Sequence, residues 1–125
     1  MIVDTDVLIW YMKGNQRAQR AIDDINSFSI SSVNYMELIQ GIRKRNELKE
    51  LQKFIGRRGI RIVHIRDEIS QRAIFYMEQF SLSHHLSMAD ALVAATAFLT
   101  NKTLLTANDK HYRPIKEIDI KPFRP

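Results

Sequence analysis

SMADALVAATAFLTNKTLLTAND, residues 87–109, decides the fold. Ser87 can cap a helix on which Met88, Ala91, Leu92, Ala95 and Leu99 recur at helical spacing. Thr103 to Thr106 (TLLT) then reads as a short strand. Each element carries an acid at one end: Asp90 lies in the first turn of the helix, and Asp109 follows the strand.

Working outward, the same alternation recurs. Glu68 to Phe80 repeats apolar residues at Ile69, Ala73, Met77 and Phe80, and the β-branched run Ile60 to Ile65 before it is strand-like. Upstream, a helix runs through Leu48, Leu51, Phe54 and Ile55, its end bracketed by Gly56 and Gly59. Another carries Tyr35, Met36, Leu38, Ile39 and Ile42, with Ser32 placed to cap it. Ser27 to Ser31 alternates like a strand, and Gln16 to Ile25 reads as helix. Met1 to Val3 is a buried strand ending at Asp4, and an apolar stretch from Thr5 to Met12 is broken by Gly14-Asn15. Downstream, Ile118-Asp119-Ile120 is a candidate edge strand. Strands alternating with helices predict an α/β fold with a mostly parallel sheet covered on both faces.

The 125 residues suit one domain spanning 1–125, and 45% hydrophobic residues suffice for a core. There is no cysteine, so disulfides and thiolate zinc sites are excluded. No apolar run approaches the ~20 residues of a membrane-spanning helix, and Met1-Ile2-Val3-Asp4 does not read as a secretory leader. A soluble cytoplasmic protein with no membrane partner is expected. The net charge of +5 is concentrated: residues 41–66 hold nine basic side chains against two acidic ones. That segment, Arg43, Lys44 and Arg45 above all, is either a contact for a polyanion such as RNA or a solvated helix face.

In a parallel α/β sheet the carboxyl ends of strands and the amino ends of crossover helices share one edge, where ligands bind. Asp4, Asp6, Glu37, Asp90 and Asp109 should all fall there. Each has a local explanation as well. Ser87 to Asp90 resembles a capping box, Asp4, Asp6 and Glu37 suit the positive end of a helix dipole, and Asn108-Asp109 suits a turn. Together those explanations weaken, because clustered carboxylates repel unless a cation separates them. With oxygen donors, that cation is Mg²⁺ or Mn²⁺.

Four segments, residues 1–9 (MIVDTDVLI), 30–38 (ISSVNYMEL), 89–97 (ADALVAATA) and 104–109 (LLTAND), resemble in order and spacing the signature blocks of PIN-domain proteins, nearest the VapC toxins of prokaryotic toxin–antitoxin pairs. The resemblance implies a three-layer α/β/α sandwich and a Mg²⁺- or Mn²⁺-dependent endoribonuclease leaving 5′-phosphate and 3′-hydroxyl ends. It also implies a homodimer held by a VapB-type antitoxin. Asp4, Glu37 and Asp90 fall on the first three acidic positions, and either Asn108 or Asp109 on the fourth. Asp6 matches a supporting polar position and Thr106 the usual hydroxyl. Since Mg²⁺ takes only one or two carboxylates directly, Asp4 and Asp90 are the expected ligands. Glu37 and Asp109 are then left to hold surrounding waters or a second ion, and Thr106 to bond an adjacent carboxylate or the nucleophile.

The remaining features are weaker. His84-His85 lacks zinc-ligand spacing, and His64 reads as a core residue of a strand. His111 and Tyr112 suit loop packing better than substrate contact. Trp10, Tyr11 and Met12 suit core or interface packing better than base stacking. The rival functions are a non-catalytic PIN-like module that binds RNA or protein, and a stand-alone RNA-processing nuclease.

Overall fold

The computed structural model describes residues 1–125. Five short strands, β1 (Ile2–Val3), β2 (Ser29–Ser31), β3 (Arg61–Val63), β4 (Leu104–Thr106) and β5 (Ile120–Pro122), form one sheet in the order β3-β2-β1-β4-β5. Every neighbouring pair is parallel. Seven helices connect them: α1 (Thr5–Met12), α2 (Gln16–Asp23), α3 (Ser32–Gln40), α4 (Arg45–Arg58), α5 (Asp67–His84), α6 (Met88–Leu99) and α7 (Asp109–Tyr112).

Strand periodicity makes the three layers. Ile2 and Leu104 face one core with Ile69, Ala73, Tyr76, Ala91 and Ala95 of α5 and α6. Their neighbours Val3 and Leu105 join Ile30 in a second core, closed by Val7, Leu8, Ala18, Ile22, Leu51 and Phe54 of α1, α2 and α4. With both faces covered, the strands carry apolar runs rather than a polar alternation. The result is a three-layer α/β/α sandwich. From β1 the chain builds outward to β2 and β3, then crosses back to β4 and β5, so strand order reverses between β1 and β4. The carboxyl ends of these two strands flank the crevice where such folds bind ligands.

Several elements differ from the sequence reading. The last strand is Ile120–Pro122, two residues beyond the expected one, and Ile118 is buried in the core instead. Pro122 has no N–H to donate, which an edge strand tolerates. The cap of α3 is Ser31, whose side chain accepts from Val33 N, and Ser32 is already helical. Helix α4 continues through Gly56 and stops at Gly59, whose φ of 61° is the left-handed conformation that ends helices. Helix α5 runs on past Phe80 to His84. His64 lies just beyond β3 and is exposed, since the pairing ends at Val63. The one-turn α7 has no counterpart in the apolar pattern.

Candidate active site

Asp4 is the first residue beyond β1 and the N-cap of α1, and it is 7% exposed. Both carboxylate oxygens are engaged. Oδ1 accepts from Thr5 N (2.9 Å) and Asn34 Nδ2 (3.1 Å), and Oδ2 accepts from Thr106 Oγ1 (2.8 Å) and lies 3.1 Å from the Tyr112 hydroxyl. Burial pushes this carboxyl above the ordinary range, against the pull of those hydrogen bonds, and the nearby Asp90 adds to the rise.

The donors to Asp4 are held by the elements that bear them. Asn34 is fully buried in the first turn of α3, where its Oδ1 accepts from Ser31 N (3.0 Å) in a reciprocal capping box. That bond turns its Nδ2 toward Asp4 and toward Thr5 Oγ1 (3.0 Å). Thr5 Oγ1 in turn donates to Glu37 Oε1 (2.7 Å), in the second turn of α3. Thr106 closes β4, and its hydroxyl accepts from Asn108 N (3.0 Å) while donating to Asp4. Asp6 accepts from Val7 N (2.7 Å) and from Ala107 N (3.1 Å). Burial first, then the charge of Asp4, raises its carboxyl to about 6.

Asp90 enters from the first turn of α6, whose cap Ser87 accepts from Asp90 N (3.1 Å). Its Oδ1 is 3.2 Å from the Tyr112 hydroxyl, and its Oδ2 is 3.2 Å from His111 Nδ1. Tyr112, fully buried, therefore sets one hydroxyl between Asp4 and Asp90. A phenol has one proton to give, so two carboxylates compete for it. Burial, then the charges of Asp4 and Asp90, raise the Tyr112 phenol well above its ordinary range.

The structure thus joins Asp4, Glu37, Asp90 and Thr106 through one hydrogen-bonded network, with Asp6 beside it, 3.5 Å from the Thr106 hydroxyl. It does not bring Asp109 into it. Asp109 is buried, with Oδ2 bonded by Arg113 Nη2 (2.5 Å) and Oδ1 by Arg124 Nη1 (2.8 Å). Arg124 above all holds its carboxyl down to about 2. Asn108 is exposed and reaches the network through its main-chain N–H. Arg43, Lys44 and Arg45 are exposed, make no ion pair, and lie beyond the far end of α3. Two residues of the network, Thr5 and Asn34, were not candidates from sequence, and two more, His111 and Tyr112, were read as loop packing but meet the acids instead. Asn34 stands third after the observed cap Ser31, a signal lost when the cap is placed at Ser32.

No three His, Asp or Glu side chains converge as a closed metal cage. The donors nevertheless fit a hard divalent ion. They are oxygens, two carboxylates compete for one proton at Tyr112, and an ion such as Mg²⁺ needs only one or two carboxylates beside its waters. Asp4 and Asp90 are placed to supply them.

The PIN domain profile matches residues 1–118. Ribonuclease VapC1 of Methanocaldococcus jannaschii is 30% identical over 98% of this chain and 86% of its own length. Ribonuclease VapC10 of Mycobacterium tuberculosis is 29% identical over 94% of this chain and 90% of its own. Among solved structures, a DNA-bound VapBC from Salmonella typhimurium superposes with a TM-score of 0.83 at 21% identity, covering 97% of this chain and 96% of that one. A toxin–antitoxin complex from Klebsiella pneumoniae superposes at 0.79 with 24% identity, covering 99% and 98%. At these identities the solved structures establish the shared fold.

Proposed function

This chain belongs to the PIN-domain family, and from that premise we propose that it is a VapC-type endoribonuclease, the toxin of a pair with a VapB-type antitoxin, working in the cytoplasm as a homodimer on RNA with Mg²⁺ or Mn²⁺. One observation carries the catalytic part: Asp4 and Asp90, 86 residues apart in sequence, meet on the single hydroxyl of Tyr112. Two carboxylates, one buried and one partly exposed, sharing a single hydroxyl are the kind of arrangement a cation site requires. The antitoxin part is supported by the VapC names of the relatives and by the complexes that share the fold. An apolar groove of about 410 Å³ between α1 and α4, lined by Tyr11, Met12, Ile42, Leu51 and Phe54, offers surface for such a partner.

When bound, a divalent ion lowers the pKa of a water and offsets charge on the phosphate. Asp4 and Asp90 would hold it. Glu37, itself held by Thr5, faces the same network and is placed to orient a water and accept its proton. Water oxygen then bonds to phosphorus, the bond from phosphorus to the 3′ oxygen breaks, and that oxygen takes a proton from solvent as Glu37 returns its own there, giving 5′-phosphate and 3′-hydroxyl ends. Thr106 and Asn34 keep the Asp4 carboxylate in one orientation throughout. Asp90→Asn should abolish Mg²⁺- or Mn²⁺-dependent cleavage of single-stranded RNA while leaving the circular dichroism spectrum intact. Either ion should raise the melting temperature of the wild type, and Asp90→Asn should remove that rise. Full cleavage by purified Asp90→Asn would defeat the assignment. Absence of cleavage by the wild type with either ion would favour a non-catalytic binding module.

A further inference from the structure

Asp109, the acid that follows the fourth strand, is spent elsewhere. It is 1% exposed, both of its oxygens are bonded by guanidinium groups, and it shares no partner with Asp4, Asp6, Glu37 or Asp90. Its two arginines reach it from different places. Arg113 is the residue after α7, and Arg124 lies just past β5, at the carboxyl edge of the sheet. Arg124 Nη1 also donates to the carbonyl of Phe123 (3.0 Å), so its position is fixed to the main chain just past β5.

What this clamp holds is α7. A single turn does not sustain itself in water, yet α7 carries the two side chains that meet Asp90 and Asp4: His111 on Asp90 Oδ2, and Tyr112 between Asp90 and Asp4. Tyr112 is anchored in the core beside Ile115 and Ile118, whereas His111 is exposed and has no comparable anchor. We propose that Asp109 is a positioning residue: bridged by Arg124 to β5 and by Arg113 to the end of α7, it fixes the turn that sets His111 and Tyr112 against the acidic site, and it is neither a metal ligand nor in contact with substrate. This assigns a role within the proposed ribonuclease site, and its activity readout rests on that reading.

The test removes the arginine rather than the acid, because the rival roles of Asp109 then predict opposite signs. Arg124→Met leaves Arg113 to balance the buried carboxylate, so the fold should persist. The clamp predicts amide hydrogen exchange at His111 and Arg113 faster by about tenfold, measured without metal or RNA. It predicts a kcat on single-stranded RNA lower by about 10- to 100-fold, the usual effect of losing a group that orients a site, with KM changed less than about twofold. Arg124→Lys, which restores one charged contact, should recover part of both. If Asp109 were a metal ligand, freeing it would tighten Mn²⁺ binding, read by titration calorimetry, and leave kcat intact. That result overturns the proposal. A raised KM with unchanged kcat and unchanged exchange overturns it too, and makes Arg124 an RNA contact. If the wild type cleaves no RNA, the ribonuclease reading fails, and the exchange rates still decide whether the clamp exists.

Discussion

At Asp6 and Asp109 the same functional group is driven in opposite directions by its neighbours. Asp6 is raised from 3.8 to about 6, first by burial and then by the charge of Asp4. Between those values the folded protein keeps a proton that the unfolded chain has released. The stability this gives is complete below the unfolded value and is lost as pH rises through about 6. Asp109, held down to about 2 by Arg124, contributes stability above its ordinary 3.8 that is lost as pH falls through about 2. In EDTA, therefore, the melting temperature of Asp6→Asn should gain on that of the wild type as pH rises from 4 to 6. Parallel curves across that window would show that Asp6 ionises as it does in water. A divalent ion should erase the difference above pH 6, because it stabilises the ionised wild-type cluster. Sequence spacing could place these acids at one edge of the sheet, but the sign of each shift is set by the fold: burial beside Asp4 for Asp6, and the Arg124 guanidinium for Asp109.

Helices α3 and α6 begin at that same edge, and their caps look alike in sequence but do unequal work. The Ser87 side chain accepts from Asp90 N alone and sits exposed. Asn34 is buried, returns the capping bond to Ser31 N, and also donates to Asp4 and Thr5. Ser87→Ala should therefore cost about 1 kcal/mol in urea denaturation, the ordinary value of a cap. Asn34→Ala should cost more, about 2–4 kcal/mol, because it strands buried polar partners as well as a cap. Equal losses would mean that the bonds from Asn34 to Asp4 and Thr5 contribute nothing. The difference explains what could be read in advance at this scale. Helix α6 was legible because an apolar face at helical spacing and a capping serine lie in one continuous stretch. The position of β5 was not, since Ile118 and Ile120 are equally apolar and only pairing with β4 separates core residue from strand. Nor was α7, a single turn held by Tyr112 in the core and by arginines outside it.

Across the whole molecule, the uneven charge was legible as a count, and its relation to the site was not. The nine basic residues of 41–66 supply the net positive charge, and Arg43, Lys44 and Arg45 stand exposed without acidic partners. The nine residues of α3 separate them from the sheet edge that bears the acids, a helix about 13 Å long at 1.5 Å per residue. On the other side of the acids, Lys110 stands exposed in α7 beside His111, whereas Arg124 is taken up by Asp109. A strand of RNA in the site would reach Arg43 to Arg45 only if it extends along α3. Replacing all three with Gln should then lower the salt slope of binding to a long single-stranded RNA by about 2, at roughly 0.7 per phosphate contact. The same replacement should leave an oligonucleotide too short to leave the acidic edge unaffected. An unchanged slope on the long RNA would make the segment a solvated face, and an equal change on the short one would place it at the site itself, against the direction in which α3 runs.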